Sequence, residues 1–225
     1  MSEPPEVAQP VFAAYPVFRR REDAAVDPVA AASEWEVLLK DRADRITARA
    51  IYTASGFRPD ADLLLWLVAS SADDVQDLLV EMRRTELGAA LELTHSFVGV
   101  HRPPEFNPQH VPAFLRGERP RRYLCVYPFV RSVEWYLQPA EERARLLAEH
   151  GEMGREFPDV LPNTTSAFGL GDWEWILAFE ADELPRLVDC IRRLRDSASR
   201  RFVKVETPFV VGIRKELAEV VSDLA

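Results

Sequence analysis

Four histidines, His95, His101, His110 and His150, are the side chains whose unperturbed pKa suits proton exchange or metal binding near neutral pH. His150 closes a helical pattern: Leu146 and Leu147 precede it by four and three residues and Met153 follows by three. That spacing puts the imidazole on an apolar face. Two chemistries suit such a place. One is a core histidine bonded to a carbonyl, or a cation at a helix C-terminus. The other is a neutral imidazole offered from an apolar wall as an axial ligand to a haem iron. His110 lies in a Pro-rich stretch, where it is either a solvated loop residue or a general base laid over a pocket. His95 and His101 fall on or at the end of a strand and have no assigned role. Tyr127 and Trp135 flank the segment Tyr127-Pro-Phe-Val-Arg131-Ser-Val-Glu-Trp135. Both rings suit a core, and both can lose an electron or a hydrogen atom to a nearby oxidant.

Other chemistries lack their residues. There is no GxSxG elbow for a serine hydrolase and no GxGxxG or P-loop for a nucleotide. Cys125 and Cys190 stand singly in apolar patterns, so they read as buried free thiols. With no CxxC and no CxxCH there is no zinc ribbon and no covalently attached haem. The carboxylates of Asp172–Glu174 and Glu180–Glu183 are accounted for by hairpin polarity and the acid preference of helix N-termini. A net charge of −9 argues against nucleic acid or a membrane surface as partner. The longest apolar run, residues 63–69, is far short of the ~20 residues of a transmembrane helix. The acidic, Pro-rich start lacks the basic region of a signal peptide, so a cytoplasmic location is expected.

The elements that must carry these residues read as a duplication. At 225 residues and 47% apolar composition, the chain is one large globular domain or two small fused ones. Residues 1–10 form a tail. Strands are expected at 11–18, 46–54, 63–69 and 92–101, with helices at 29–45 and 72–87, giving the order βαββαβ. The second half repeats it: a strand at 122–129, a helix at 139–150 stopped by Gly151, a hairpin of 163–170 with 173–179, a helix at 182–201 and a strand at 207–213. Ala72-Asp-Asp-Val aligns with Ala181-Asp-Glu-Leu. On the same offset Leu78, Leu79 and Met82 meet Leu187, Val188 and Ile191. Two ferredoxin-like halves, 11–101 and 122–213, would each leave one sheet face uncovered. Packing those faces together gives an α+β barrel, a dimeric α+β barrel built within one chain. The linker 102–121 holds five prolines and is long enough to serve a site. Residues 214–225 follow as a short helix-like extension.

The run Cys125-Val-Tyr127-Pro-Phe-Val-Arg131-Ser-Val-Glu-Trp135-Tyr136-Leu-Gln-Pro139 resembles the chlorite dismutase-like superfamily, and within it the coproheme decarboxylase branch of actinobacterial type. The segments 101–114, Leu146-Leu-Ala-Glu-His150-Gly and Asn163-Thr-Thr-Ser-Ala-Phe-Gly-Leu-Gly-Asp-Trp-Glu-Trp175 resemble that branch as well. The resemblance implies a haem-site residue set. His150 becomes the proximal iron ligand and His110 the distal base for hydrogen peroxide. Tyr127 becomes the redox-active tyrosine beside a propionate, and Trp135 lies near the porphyrin edge. Arg131 is implied as a propionate partner, with Arg195 and Arg200 as further candidates. Asn163, counted by the resemblance with the cofactor-binding residues, falls where chlorite dismutases carry a distal arginine, which argues against chlorite as substrate. The implied reaction is peroxide-dependent decarboxylation of two propionates of iron coproporphyrin III, bound non-covalently, to give haem b in a homo-oligomer, a pentamer in the family. The aliphatic strand Pro208-Phe-Val-Val-Gly212, the Pro-rich start and the extension depart from the family pattern. They leave open a haem-dependent paralogue or a non-enzymatic haem carrier. A carrier has no need of His110, Tyr127 and Trp135 together.

Overall fold

The computed structural model describes residues 10–23, 27–107, 109 and 111–224. The first half runs β1 (Phe12–Arg20), α1 (Pro28–Asp41), β2 (Ile46–Arg58), β3 (Ala61–Ala69), α2 (Ala72–Met82), α3 (Glu86–Ala90) and β4 (Leu91–Val100). The second runs β5 (Tyr123–Arg131), α4 (Val133–Leu137), α5 (Ala140–Arg155), β6 (Leu161–Ser166), β7 (Trp175–Ala181), α6 (Leu184–Leu194), β8 (Val203–Val205), β9 (Val210–Arg214) and α7 (Leu217–Ser222). Short 3₁₀ turns at Ala113–Leu115 and Ala198–Phe202 complete the chain. None of the described helices is long and apolar enough to cross a membrane.

The strands pair in the order β7-β6-β4-β1-β3-β2-β9-β5, and a β5–β7 pairing joins the ends, while β8 hangs on β5 outside the ring. The result is the closed α+β barrel of two ferredoxin-like halves that the sequence repeat predicts. The halves meet at two seams, β4 with β6 and β2 with β9. Each seam has a glycine where backbones approach closely. A Cβ on Gly212 would lie 2.7 Å from Cβ of Tyr52, and one on Gly99 would run into the Thr165 side chain.

Alternation along each strand separates three apolar layers. Tyr15, Tyr52, Trp66, Phe97, Leu124, Val126 and Ile176 point into the barrel. On the outer face of the first half, Leu63, Leu65 and Leu67 pack under Trp35 of α1, Leu78 of α2 and Val220 of α7. On the outer face of the second half, Cys125, Tyr127 and Phe179 pack under Leu187 and Cys190 of α6. The C-terminal extension therefore belongs to the first half's core: Leu217, Val220, Val221 and Leu224 are all buried there, each side chain stabilising by about 1.5–3 kcal/mol when fully buried.

Four local expectations differ from the structure. The helix expected over 72–87 breaks after Met82, and Thr85 starts α3 by accepting from the Gly88 N–H at 3.0 Å. Thr85 also accepts from the Trp35 indole at 2.9 Å, so the break is tied to the core. The helix expected to stop at Gly151 runs on to Arg155. A glycine costs a helix about 1 kcal/mol against alanine, and here Glu149 anchoring the Ala198 N–H at 3.0 Å and the packing of α5 against α6 and the 3₁₀ turn at Ala198–Phe202 outweigh it. The helix expected over 182–201 ends at Leu194 and gives way to the 3₁₀ turn. The tight hairpin expected across Gly171-Asp172 is a longer loop between Ser166 and Trp175.

Inside the barrel sits a buried ion pair, so Glu180, expected with Asp182 and Glu183 as part of an acidic helix start, serves the core instead. The Glu180 carboxylate, wholly inaccessible, takes the Arg49 guanidinium at 2.8 Å, the Arg121 N–H at 3.0 Å and the Asn163 amide at 3.2 Å. Arg49 also donates to the Glu118 carbonyl at 2.8 Å and lies over the Trp66 ring, 4.7 Å from its centroid. Glu180→Ala leaves the guanidinium buried without its carboxylate and is expected to destabilise the chain by about 3–5 kcal/mol. Urea unfolding of the variant measures this, and a loss below about 1 kcal/mol would show that the pair holds nothing together.

Candidate functional site

The outer face of the second half carries most of the residues singled out above. Cys125, Tyr127 and Phe129 point outward from β5, opposite Phe179, Leu177 and Trp175 of β7. Tyr127 is buried, its ring 4.4 Å from Phe209 and 6.0 Å from Phe179. Burial first, then the Cys125 thiol and the Glu206 carboxylate, hold its pKa well above the ordinary value, with Arg195 acting the other way. Tyr127 is therefore a neutral phenol with its O–H intact. Burial also pushes the Cys125 thiol up to about 12 and the Cys190 thiol to about 11, so neither is a thiolate nucleophile.

Arg131 ends β5 and turns over aromatic rings, 4.2 Å from the Trp135 centroid and 4.8 Å from that of Phe129. Its guanidinium donates to the Ser199 carbonyl at 3.0 Å, and its backbone N–H donates to the Glu174 carboxylate at 2.7 Å. The same Glu174 oxygen takes the Tyr136 hydroxyl at 2.7 Å. Burial pushes the Arg131 pKa down to about 10, which leaves it fully charged at neutral pH. Trp135 is buried on α4 against Phe202, with 5.7 Å between ring centroids.

His150 lies half-buried on α5, and its Nδ1 is buried with no hydrogen-bond partner. Burial and the positive charge of Arg131 lower its pKa, against a smaller opposing effect of Glu149. The imidazole is thus neutral at pH 7, the form that binds a metal. No group of three or more His, Cys, Asp or Glu suited to a bare metal ion occurs among the described residues. A single neutral imidazole in apolar surroundings suits an iron that brings its own equatorial ligands, and the arginines suit a macrocycle bearing carboxylates.

Arg195 and Arg200 converge on one oxygen of Glu206, Arg195 at 3.0 Å. Beside them an apolar groove of about 450 Å3 is lined by Cys125, Leu187, Ile191, Arg195, Phe209 and Val211. Asn163, singled out with the cofactor-binding residues, lies on the other face of the sheet. Its register partner is Ala178, which points into the barrel. Its carbonyl takes the Phe114 N–H at 3.1 Å, and its amide donates to Leu161 O, Ala178 O and Glu180. All its polar atoms serve the fold, so it offers nothing to a ligand on the Tyr127 face. His110 lies outside the described residues. The linker leading to it is held to α5 by Glu105, which pairs with Arg143 at 2.8 Å. Residue types and spacing assigned Glu174 to hairpin polarity and did not single out Glu206 or the two phenylalanines around Tyr127. Glu206 does carry one signal, as a single carboxylate between the Arg-rich stretch 192–201 and the apolar strand that follows.

The chlorite dismutase family model matches residues 29–215. The coproheme decarboxylase of Mycolicibacterium smegmatis is 48% identical over 193 residues, covering 85% of this chain and 84% of that protein. Among solved structures, a point variant of chlorite dismutase from Candidatus Nitrospira defluvii superposes with a TM-score of 0.86 at 22% identity, over 95% of this chain and 94% of that one. The same enzyme in complex with imidazole gives 0.85 at 22% identity, with the same coverage.

The electrostatics of His150 can be tested in the ligand-free protein. Its ring is expected to titrate below 6.5, because burial and Arg131 both disfavour the imidazolium. Replacing Arg131 by Gln removes the like charge, and the midpoint should then rise. Titration of the histidine ring resonances by NMR measures both; a midpoint at or above 6.5 in the unsubstituted protein would refute this account of the site.

Proposed function

The chain belongs to the chlorite dismutase family, and from that premise we propose that it converts iron coproporphyrin III to haem b by peroxide-dependent decarboxylation of two propionates. The observation that carries the reading is Tyr127: a buried, neutral phenol wedged between two phenylalanines, beside an apolar groove edged with arginine. The 48% identity to a coproheme decarboxylase supports it.

Each decarboxylation balances as propionate plus hydrogen peroxide plus a proton giving a vinyl group, carbon dioxide and two waters. When bound, the iron porphyrin is both substrate and redox group, and it supplies the oxidising power of peroxide. The chain supplies the rest. The neutral His150 imidazole would hold the iron through its lone pair. Arg131, with Arg195 and Arg200, pairs with the propionates, where a planar guanidinium matches a carboxylate and its own charge survives burial. His110 accepts the first proton of peroxide, a role that needs a group titrating near neutrality. One oxidising equivalent of the peroxide would take the phenolic hydrogen atom of Tyr127, which would recover one from the β-carbon of the propionate; the second equivalent would take the electron released as the carboxyl leaves as carbon dioxide. Trp135, pressed on Arg131, walls the porphyrin edge. The two described thiols are buried and protonated, in keeping with non-covalent binding and a reducing, cytoplasmic compartment. A homo-oligomer, a pentamer, completes the reading. Exposed Val133, Leu137, Phe168 and Leu170 offer apolar surface for contact with further copies.

The test is to add iron coproporphyrin III, titrate hydrogen peroxide and follow porphyrin mass. The unsubstituted chain is expected to lose two carboxyl groups. Tyr127→Phe keeps the packing between Phe179 and Phe209 and lacks only the O–H, so it should bind the porphyrin and retain all four propionates. His110→Ala should keep its affinity and react about 10²–10⁴-fold more slowly with peroxide. Loss of two carboxyl groups by the phenylalanine variant at normal yield would exclude the tyrosine route. Retention of all four by the unsubstituted chain would exclude the proposed reaction.

A further inference from the structure

A site that binds a polycarboxylate has no evident use for a carboxylate of its own, yet Glu206 lies within this one. Its side chain is only 14% exposed, and one of its oxygens takes both Arg195, at 3.0 Å, and Arg200. The two arginine side chains are more open than the acid between them, at 39% and 36% exposed. Arg195 also lines the apolar groove next to Cys125 and Phe209, and Phe209 packs on Tyr127. The negative charge of Glu206 is felt at Tyr127, Cys125 and Arg131 alike, so it stands amid these groups rather than at the rim.

A buried carboxylate that converges two guanidinia keeps them paired and aimed when no ligand is present. A ligand carboxylate approaching the same guanidinia meets a rival already in place and must share or displace it. We infer that Glu206 is a specificity-determining residue, an internal counter-ion that reserves Arg195 and Arg200 for a ligand carboxylate able to compete with it. This rests on the proposed function in one respect, that the arginines face substrate carboxylates. Weak or singly charged anions cannot displace an acid held by two guanidinia. A macrocycle anchored elsewhere by its apolar face and by iron presents its propionates at high effective concentration and can. Glu206 does not touch the reacting atoms; it sets which anions reach the arginines.

The test compares Glu206→Gln with the unsubstituted protein in equilibrium binding of iron coproporphyrin III, with Asp189→Asn as control. The control removes one negative charge from the exposed side of α6 and should change affinity by less than about twofold. Freed of its rival, the Glu206→Gln variant should bind about tenfold more tightly, the scale of one charge-assisted hydrogen bond. Citrate, a tricarboxylate without ring or iron, should raise the melting temperature of this variant and leave that of the unsubstituted protein unmoved. Equal or weaker porphyrin binding by a cooperatively folded Glu206→Gln variant, with no response to citrate, would overturn the inference and leave Glu206 a purely structural acid. If the unsubstituted protein fails to bind iron coproporphyrin III, the proposed function falls, and the citrate comparison alone decides the role of Glu206. Should Glu206→Gln not fold, Glu206→Asp takes its place. That side chain is one methylene shorter and cannot span both guanidinia, so an intermediate gain supports the inference and none refutes it.

Discussion

Glu180 sits in the barrel interior without access to solvent, and it can remain there only because Arg49 reaches it from the other half of the chain. Burying an ion pair costs several kcal/mol of desolvation per charge, so it holds only where further hydrogen bonds surround it. Here the remaining positions on the carboxylate are filled by Asn163 and by the Arg121 N–H, while Arg49 reaches on to the Glu118 carbonyl. Four segments meet at this point: β2, β6, β7 and the end of the linker. β7 in turn pairs with β5 along its length, from Tyr123 to Phe129. The position of Tyr127 on the outer face thus depends on a charge pair on the inner one.

The duplicated halves use the same strand order and diverge in what covers their outer faces. In the first half, α1, α2 and α7 close the sheet around Trp35, Leu65 and Val220, none of them accessible. The third helix there is supplied by the end of the chain. The second half has α5 and α6 over its sheet and a smaller cluster beneath them, and the groove beside Phe209 and Arg195 lies where its helical cover is incomplete. The site residues proposed among the described ones lie with this groove on the second half.

Burial sets the protonation states across the site. It holds the Tyr127 phenol and both thiols neutral, and it lowers the pKa of His150 with help from Arg131. Arg131 stays charged because even a displaced guanidinium remains far above neutral pH. The site therefore pairs fixed positive charge with neutral hydrogen-bearing and lone-pair-bearing groups, an arrangement suited to an anionic, iron-bearing ligand.

Much of this was legible in the order of residues. Alternating apolar strands, two amphipathic helices per half and the matching of 72–82 with 181–191 are local or periodic signals, and they led to the duplicated barrel. The spacing of Leu146, Leu147 and His150 put the imidazole on an apolar face, because a helix maps spacing directly onto direction. The long motif from Cys125 to Pro139 led to the family. Other features depended on partners distant in sequence. Asn163 looked like a ligand residue until the register with Ala178 turned it into the barrel, where Phe114 and Glu180 occupy it. Gly151 reads as a helix stop, but Ala198 bonded to Glu149 and α6 packed on α5 carry the helix past it. Glu206 had no motif at all, and its meaning comes from two arginines brought onto one of its oxygens. Periodicity records which face a residue takes along its own element; what meets that face is decided when strands and helices far apart in the chain pack together, because hydrogen bonds and ion pairs act over only a few ångströms.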